Sequence, residues 1–324
     1  MSAPRILITR ASPGAYQVPG AEIVTLREDA WPSQGELVEA VRAAGPADGV
    51  VTMAYDIVDR DFLDACGSGL RVVSNFAVGY DNIDLALCRE RGVIVTNTPD
   101  AVTEGTADMA WALLLAAARR LEEASRYVRS GDYVARGPLG MADFLGADIA
   151  GRTLLIVGAG RIGKAVALRS LGWGMRILYT ARSRHLDFEQ APLNAERVEL
   201  DAGLREADYI SLHCPLTSET RGLINAQRLA LCRRSAVLIN TARGPIVDEG
   251  ALAEALAAGR LRAAGIDVYE REPEVHPTLK TLSNAVLTPH IGSASEGSRL
   301  QMTAMVSENL RAALAGEEPP NRIA

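Results

Sequence analysis

Two kinds of apolar pattern alternate along this chain. Short β-branched runs at Arg5–Thr9, Glu22–Leu26, Gly49–Met53, Arg71–Asn75 and Val93–Asn97 predict strands. Between them, Gln34–Ala44, Asp59–Cys66 and Asp84–Arg91 carry helical spacing. Strands that alternate with helices imply parallel βαβ units, so this part predicts one open, doubly wound sheet. After Thr98-Pro99 the pattern turns helical, from Thr103 to about Ser130, with an apolar stripe broad enough to demand burial. Gly131–Ala150, rich in Gly, Ala and Asp, predicts an irregular arm. A second alternating series opens at Arg152, with strands at Thr153–Val157, Arg176–Tyr179, Tyr209–Leu212, Ala236–Asn240, Ala264–Asp267 and Ala285–Thr288. The fold class is therefore α/β, with two doubly wound parallel-sheet domains. Ser295–Ala315 predicts one amphipathic closing helix, which periodicity alone assigns to neither domain.

Composition agrees with this picture and removes several function classes. A chain of 324 residues suggests about two domains. Hydrophobic residues make up 48% and charged residues 23%, enough core to exclude disorder, collagen-like repeats and disulfide scaffolds. Lys plus Arg is 34 against 40 for Asp plus Glu, a net charge of −6, so neither nucleic acid nor an anionic membrane is expected as a partner. The 4 cysteines are scattered, with no CxxC pair and no metal-ligand spacing, and read as reduced thiols filling core. Near the N-terminus only Ile6-Leu7-Ile8 is apolar, short of the ~7–15 residues of a signal-peptide core. The longest apolar stretch, Met109–Ala118, falls short of the ~20 residues that span a bilayer. A cytoplasmic location is expected.

Chemistry enters with Gly158-Ala159-Gly160-Arg161-Ile162-Gly163, a G-x-G-x-x-G run. The apolar Leu154–Val157 precedes it and the helical Lys164–Leu171 follows, the context a dinucleotide loop requires. Gly158 permits the tight turn, Gly160 lets backbone approach a pyrophosphate, and Gly163 lets helix and strand pack closely. The ribose-reading position lies ~20 residues on, after the next strand. There Thr180-Ala181-Arg182-Ser183-Arg184 offers two arginines and a serine and no carboxylate. That composition suits a 2′-phosphate; a solvated basic turn is the bland alternative. Further polar residues gather at the following strand ends: Arg243, Asp267, Glu272 and His290. Ligands of open α/β sheets sit beyond the carboxyl ends of the strands, and His290 is the histidine best placed there for proton transfer.

With these residues in view, the sequence resembles the D-isomer-specific 2-hydroxyacid dehydrogenases, in particular their glyoxylate/hydroxypyruvate reductase branch. The resemblance runs through Ser74–Asp84 (SNFAVGYDNID), Thr98–Ala107 (TPDAVTEGTA), the glycine loop, His213–Asn225 (HCPLTSETRGLIN), Asn240–Asp248 (NTARGPIVD) and Leu287–Ser293 (LTPHIGS). It implies a flavodoxin-like substrate domain formed by residues 1–98 and 293–324. Residues 99–292 would form a Rossmann cofactor domain carrying the dimerisation helix and arm, with the active cleft between the domains. It also implies a homodimer, and Leu113 and Leu114 on the long helix are expected to be buried at or near its interface.

By the same resemblance, Arg243 holds the substrate carboxylate and polarises the keto oxygen through charge-assisted bonds. His290 donates a proton to that oxygen, and Glu272 stabilises the imidazolium. Met53, Ala54, Val78 and Gly79 join Arg243 and His290 around the substrate. Thr106, Cys214, Pro215, Thr220, Thr241 and Ala242 line the cofactor, with Asp267 at its nicotinamide end and Arg182, Ser183 and Arg184 at the ribose. Cys214 reads as packing, since no partner base is evident. NADP(H) is the expected cofactor, with NAD(H) also admissible, and no metal is expected. The chain departs from the branch in its arm, where Gly131–Ala150 lacks the tryptophan that relatives often carry, and at Tyr55, which faces the substrate side in relatives. Two other readings remain at this level. One is a dehydrogenase of the same fold acting on phosphoglycerate, D-lactate, formate or phosphite, although a chain ending at Ala324 without a regulatory domain argues against the longer phosphoglycerate enzymes. The other is a non-catalytic dinucleotide sensor.

Overall fold

The computed structural model of the protein describes residues 3–29 and 33–324; Met1 and Ser2, at the head of the N-terminal segment, lie outside them. The chain divides into two compact units, Met1–Val102 with Ala294–Ala324, and Thr103–Ser293. The boundaries expected after Thr98 and Gly292 thus move to Val102 and Ser293.

In the first unit, strands β1 (Arg5–Ile8), β2 (Glu22–Thr25), β3 (Gly49–Met53), β4 (Val72–Phe76) and β5 (Ile94–Thr96) form one sheet in the order β2-β1-β3-β4-β5. All its pairings are parallel. Every residue of β3 and β4 is buried, as a parallel sheet covered on both faces requires. Helices α1 (Gln34–Ala44), α2 (Arg60–Cys66) and α3 (Leu85–Glu90) begin where a side chain can cap them. Ser33, Asp59 and Asp84 accept from the N–H groups of Glu36, Phe62 and Leu87, which satisfies donors the first helical turn leaves open. These helices bury Leu37, Val41, Phe62, Leu63 and Leu87 against Leu7, Val50, Val73 and Val95 of the sheet. The closing helix, Glu296–Ala315 with Ser295 as its cap, packs on β3, β4 and β5 and so belongs to this unit.

The second unit opens with α4 (Thr103–Ala118), α5 (Leu121–Arg129) and α6 (Asp132–Arg136). The single helix expected to reach Ser130 is broken at Arg119-Arg120, where Arg120 takes φ 55°. Its guanidinium is held by Glu123 at 2.8 Å and lies 5.1 Å from the centre of the Phe144 ring, so the arm folds back on the break. Strands β6 (Thr153–Val157), β7 (Arg176–Thr180), β8 (Glu196–Arg197), β9 (Tyr209–Leu212), β10 (Val237–Asn240), β11 (Ala263–Ile266) and β12 (Ala285–Leu287) follow. They form a sheet ordered β12-β11-β10-β9-β6-β7-β8, again with parallel pairings only. The helix after β6 is α7 (Arg161–Arg169).

Helix α4 is wedged between α7 and strands β10 and β11, which is why its apolar stripe is broad. Leu113 and Leu114, expected to be buried at or near a subunit interface, are buried within the unit's own core. Trp111 stacks on Trp173 with ring centres 6.0 Å apart and donates its indole N–H to the Val166 carbonyl. Along α5, α6 and the arm, Leu121, Val128, Val134, Met141 and Leu145 are left exposed. None of the described helices is long and apolar enough to cross a membrane.

Candidate active site

The glycine loop joins β6 to α7 at the point where the strand order of the second sheet reverses, between β6 and β9. Its shape explains its composition. Gly158 takes φ 105°, and a Cβ there would sit 2.6 Å from the Cys214 nitrogen and 2.7 Å from the His213 carbonyl carbon, because the end of β9 passes directly over it. At Gly163 a Cβ would fall on the Gly158 carbonyl, so α7 can approach the turn only without one. Gly160 differs: nothing lies within 4 Å of its missing Cβ, and as N-cap of α7 it offers no side chain. The first N–H groups of a helix lack intrahelical partners and sit at the positive end of its dipole. An open cradle at that end fits a pyrophosphate. Thr241, after β10, adds a buried hydroxyl with no hydrogen-bond partner among the described residues. The donor set and the open space therefore fit a dinucleotide.

Other residues expected along the cofactor surround this loop. Thr106 is buried in α4, 3.6 Å from where a Cβ of Gly292 would stand. The Thr220 hydroxyl donates to the Pro215 carbonyl at 2.6 Å and accepts from the Thr217 N–H, closing the turn after Cys214. Burial pushes the Cys214 thiol up to about 11, so it stays protonated and packs. His213 is the reverse case: burial pulls its imidazole down to about 3, and its Nε2 lies 2.7 Å from the Ser211 hydroxyl.

Beyond β7 the expected ribose-reading residues are not equivalent. Arg182, Ser183 and Arg184 are all exposed, but Arg184 is committed to Glu189 through an ion pair. Glu189 also accepts the Tyr179 hydroxyl at 2.7 Å. Arg197 on β8 donates to the carbonyls of Ala181 at 3.0 Å and Arg182 at 3.3 Å, pinning the loop from the sheet edge.

Arg243, Asp267, Glu272 and His290 come from three successive strand ends of this unit, after β10, β11 and β12. His290 Nδ1 lies 2.8 Å from Glu272 Oε2, and Glu272 Oε1 accepts the Tyr269 N–H at 2.8 Å. His290 takes φ 53°, a left-handed conformation that costs a non-glycine residue about 1–3 kcal/mol. The neighbouring Asp267 holds it there. Its carbonyl accepts the His290 N–H at 2.8 Å, and its carboxyl accepts from the Thr288 hydroxyl at 2.6 Å, Ile291 N–H at 2.9 Å and Gly292 N–H at 2.7 Å. The Asp267 side chain has no exposed surface, and burial raises its carboxyl above the ordinary range against the pull of those donors. Arg243 sits in a turn braced by Asn240, whose amide donates to the Arg243 carbonyl at 3.0 Å and accepts the Ala242 N–H at 3.1 Å. The next residue must be glycine, since a Cβ at Gly244 would fall on the Tyr269 carbonyl. Backbone-to-backbone contact thus joins the Arg243 turn to the loop that carries Glu272. The result is a half-buried imidazole–carboxylate pair and a half-buried guanidinium on adjoining turns, a set able to exchange a proton and bind an anion.

In the first unit, the residues expected around the substrate lie at the carboxyl ends of β3 and β4. Met53 ends β3, and its N–H is taken by the buried Asp56 carboxyl at 2.7 Å. Past β4, the carbonyls of Val78 and Gly79 accept from the side chains of Asn97 and Asn75, each at 2.8 Å. Ala54 is half-buried and Tyr55 exposed.

Residues 111–292 match the family described as D-isomer specific 2-hydroxyacid dehydrogenase, NAD binding domain. The chain is 46% identical to a glyoxylate reductase from Thermococcus onnurineus (strain NA1), over 99% of this chain and 96% of that one. The chain belongs to the D-isomer-specific 2-hydroxyacid dehydrogenases. This 2-hydroxyacid dehydrogenase is also 47% identical to a glyoxylate reductase from Korarchaeum cryptofilum (strain OPF8), with the same coverage. Among solved structures, a protein from Thermus thermophilus matches with a TM-score of 0.89 at 42% identity, covering 99% of this chain and 100% of that one. An NADPH-dependent glyoxylate/hydroxypyruvate reductase from Sinorhizobium meliloti, in complex with NADP and malonate, matches with a TM-score of 0.82 at 33% identity over 100% and 97%. The two-sheet architecture and the use of a nicotinamide dinucleotide follow from this membership.

Three features of the dehydrogenase escape sequence reading. Glu189 stands five residues after Arg184, a spacing with no meaning until the short helix Leu186–Glu189 turns it back. Glu249 is a buried carboxylate whose partners are backbone N–H groups far along the chain. Asn75 and Asn97 act through their amides on carbonyls near Gly79, and only the folded backbone relates them.

Proposed function

We propose that this dehydrogenase reduces a small 2-keto acid, glyoxylate or hydroxypyruvate, to the D-2-hydroxy acid, with NADPH preferred over NADH. The observation that carries the reading is the His290–Glu272 pair, 2.8 Å apart on a turn adjoining that of Arg243, in the unit that also holds the dinucleotide loop. The whole-length likeness to glyoxylate reductases supports the substrate class. When bound, the reduced dinucleotide supplies a hydride to the keto carbon. Gly158, Gly160 and Gly163, with the first turn of α7, hold its pyrophosphate; Thr106, Cys214, Pro215, Thr220, Thr241 and Ala242 line its length.

Arg243 binds the substrate carboxylate and keto oxygen with its planar fork. His290 Nε2 gives a proton to that oxygen, so the carbonyl π bond becomes an alcohol and the imidazolium becomes imidazole. Glu272, on Nδ1, stabilises the charged ring before transfer and fixes its orientation. Asp267, fully buried with its oxygens bonded to the chain, holds the His290 turn at the nicotinamide end of the site. We assign Met53, Ala54, Val78 and Gly79 to substrate recognition; the amide-braced carbonyls of Val78 and Gly79 support this. Arg182 is the principal reader of the 2′-phosphate. The exposed apolar arm supports a homodimer, and a cytoplasmic location belongs to the same reading.

The test is a panel of 2-keto acids assayed with NADPH and NADH by loss of nicotinamide absorbance. The highest kcat/KM is expected for glyoxylate or hydroxypyruvate with NADPH. A higher kcat/KM for a phosphorylated or bulkier keto acid, or for NADH, contradicts the reading.

A further inference from the structure

We propose that Glu249 is a positioning residue for the acid–base pair, holding in place the loop that carries Glu272. The inference rests on the reading of His290 and Glu272 given above. Glu249 opens the helix Glu249–Ala257, yet unlike most first-turn glutamates it is buried, at 8% exposure. Its Oε2 accepts the Glu270 N–H at 2.9 Å and its Oε1 accepts the His276 N–H at 2.6 Å. Those two amides bracket Glu272 in the sequence. Within the bracket, the Glu274 N–H donates to the Arg271 carbonyl at 2.9 Å, closing the turn, while Glu272 itself takes the Tyr269 N–H.

The loop is thus gripped at both ends by one carboxylate and anchored between them by Glu272. Helix capping does not explain Glu249, because Asp248 already caps that helix by accepting the Ala251 N–H at 2.9 Å. The requirement is for two acceptor oxygens on one side chain. Glutamine would keep one and set an NH₂ group against the other backbone N–H, leaving a buried donor unsatisfied. A loop released at one end lets Glu272 drift from His290 Nδ1, and small misplacements in a catalytic constellation lower turnover steeply.

The test is a double-mutant cycle on the full-length enzyme with Glu249→Gln, Glu272→Gln and the pair, reading kcat at saturating NADPH and glyoxylate. Dinucleotide Kd from fluorescence and thermal unfolding are measured alongside. Glu249→Gln is expected to lower kcat about tenfold with an unchanged dinucleotide Kd. Added to Glu272→Gln, it should lower kcat no further, because a residue acting through another loses its effect once that other is gone. If Glu249→Gln does not fold, Glu249→Asp, which keeps both oxygens on a shorter stem, enters the same cycle. Full kcat in Glu272→Gln overturns the acid–base reading together with this role. A slow Glu272→Gln enzyme in which the Glu249 substitution still costs its whole factor overturns the role alone, as does a Glu249→Gln enzyme with wild-type kcat.

Discussion

His290, Asp267 and Arg184 show how little a residue's type says until its neighbours are known. A strand-end histidine reads from sequence as a candidate proton donor, but its left-handed backbone and the Asp267 network that holds it are tertiary facts. Asp267 reads as a ligand contact, whereas its carboxyl is buried and bonded to the chain. Arg182 and Arg184 read as equals, yet Glu189 holds Arg184. This difference makes a prediction about cofactor choice. A charge-assisted hydrogen bond contributes about 1.5–3 kcal/mol, and exposure keeps the benefit toward the low end. Arg182→Ala should therefore raise KM for NADPH about tenfold and leave NADH nearly unchanged. Arg184→Ala should change the NADPH-to-NADH ratio less than Arg182→Ala does. Steady-state kinetics with both cofactors checks the ranking; an equal or larger effect at Arg184 would show that the Glu189 pair yields to the phosphate.

Elements were legible where local chemistry marks them. Ser33 before Leu37, Val38 and Val41 states both the start and the buried face of Gln34–Ala44, and Asp59 and Asp84 do the same for their helices. The glycine loop was legible because its spacing sits between an apolar strand run and a helical run, although the contact that requires Gly158 comes from the distant His213-Cys214 segment. Other features were hidden because their causes are distant. The break at Arg119-Arg120 has no glycine or proline to announce it and depends on Glu123 and Phe144. Strand β8 is two exposed charged residues, too short for any alternation to register. The most exacting contact between elements is also invisible locally: Gly244 against Tyr269, which fixes the spacing of the Arg243 turn and the Glu272 loop. Gly244→Ala forces backbone apart, where overpacking costs about 3 kcal/mol or more. Denaturant unfolding should show a loss of that size, with activity falling beyond what the unfolded fraction explains. Unchanged stability would mean that the contact is not tight in solution.

At the scale of the whole molecule, exposed apolar side chains are scattered over both units, but the most exposed of them, Val134 and Met141, lie in one stretch of the second unit. The buried positions of α4 are filled by its own unit, so Leu113 and Leu114 stabilise that unit's core. Leu121, Val128, Val134, Met141 and Leu145 remain exposed along α5, α6 and the arm, and apolar surface gathered in this way marks an interaction site. A homodimer formed through this stretch is expected, with a dimer mass from light scattering at micromolar concentration. Val134→Glu, at a position 86% exposed in the single chain, should shift the mass to that of a monomer while the unfolding temperature of the units changes little. A wild-type monomer mass would contradict the assignment.

Reduction depends most on His290 as the proton donor, and His290→Asn tests that role with the least disturbance. Asparagine tolerates the left-handed backbone at this position better than other side chains do, and the dinucleotide loop is untouched. General acid catalysis contributes about 10²–10⁴-fold. The measurement is kcat for glyoxylate reduction beside dinucleotide Kd in the same variant. The expected result is a kcat lowered by about that factor with Kd near the wild-type value; a kcat near wild type would remove His290 from the reaction and contradict the central claim.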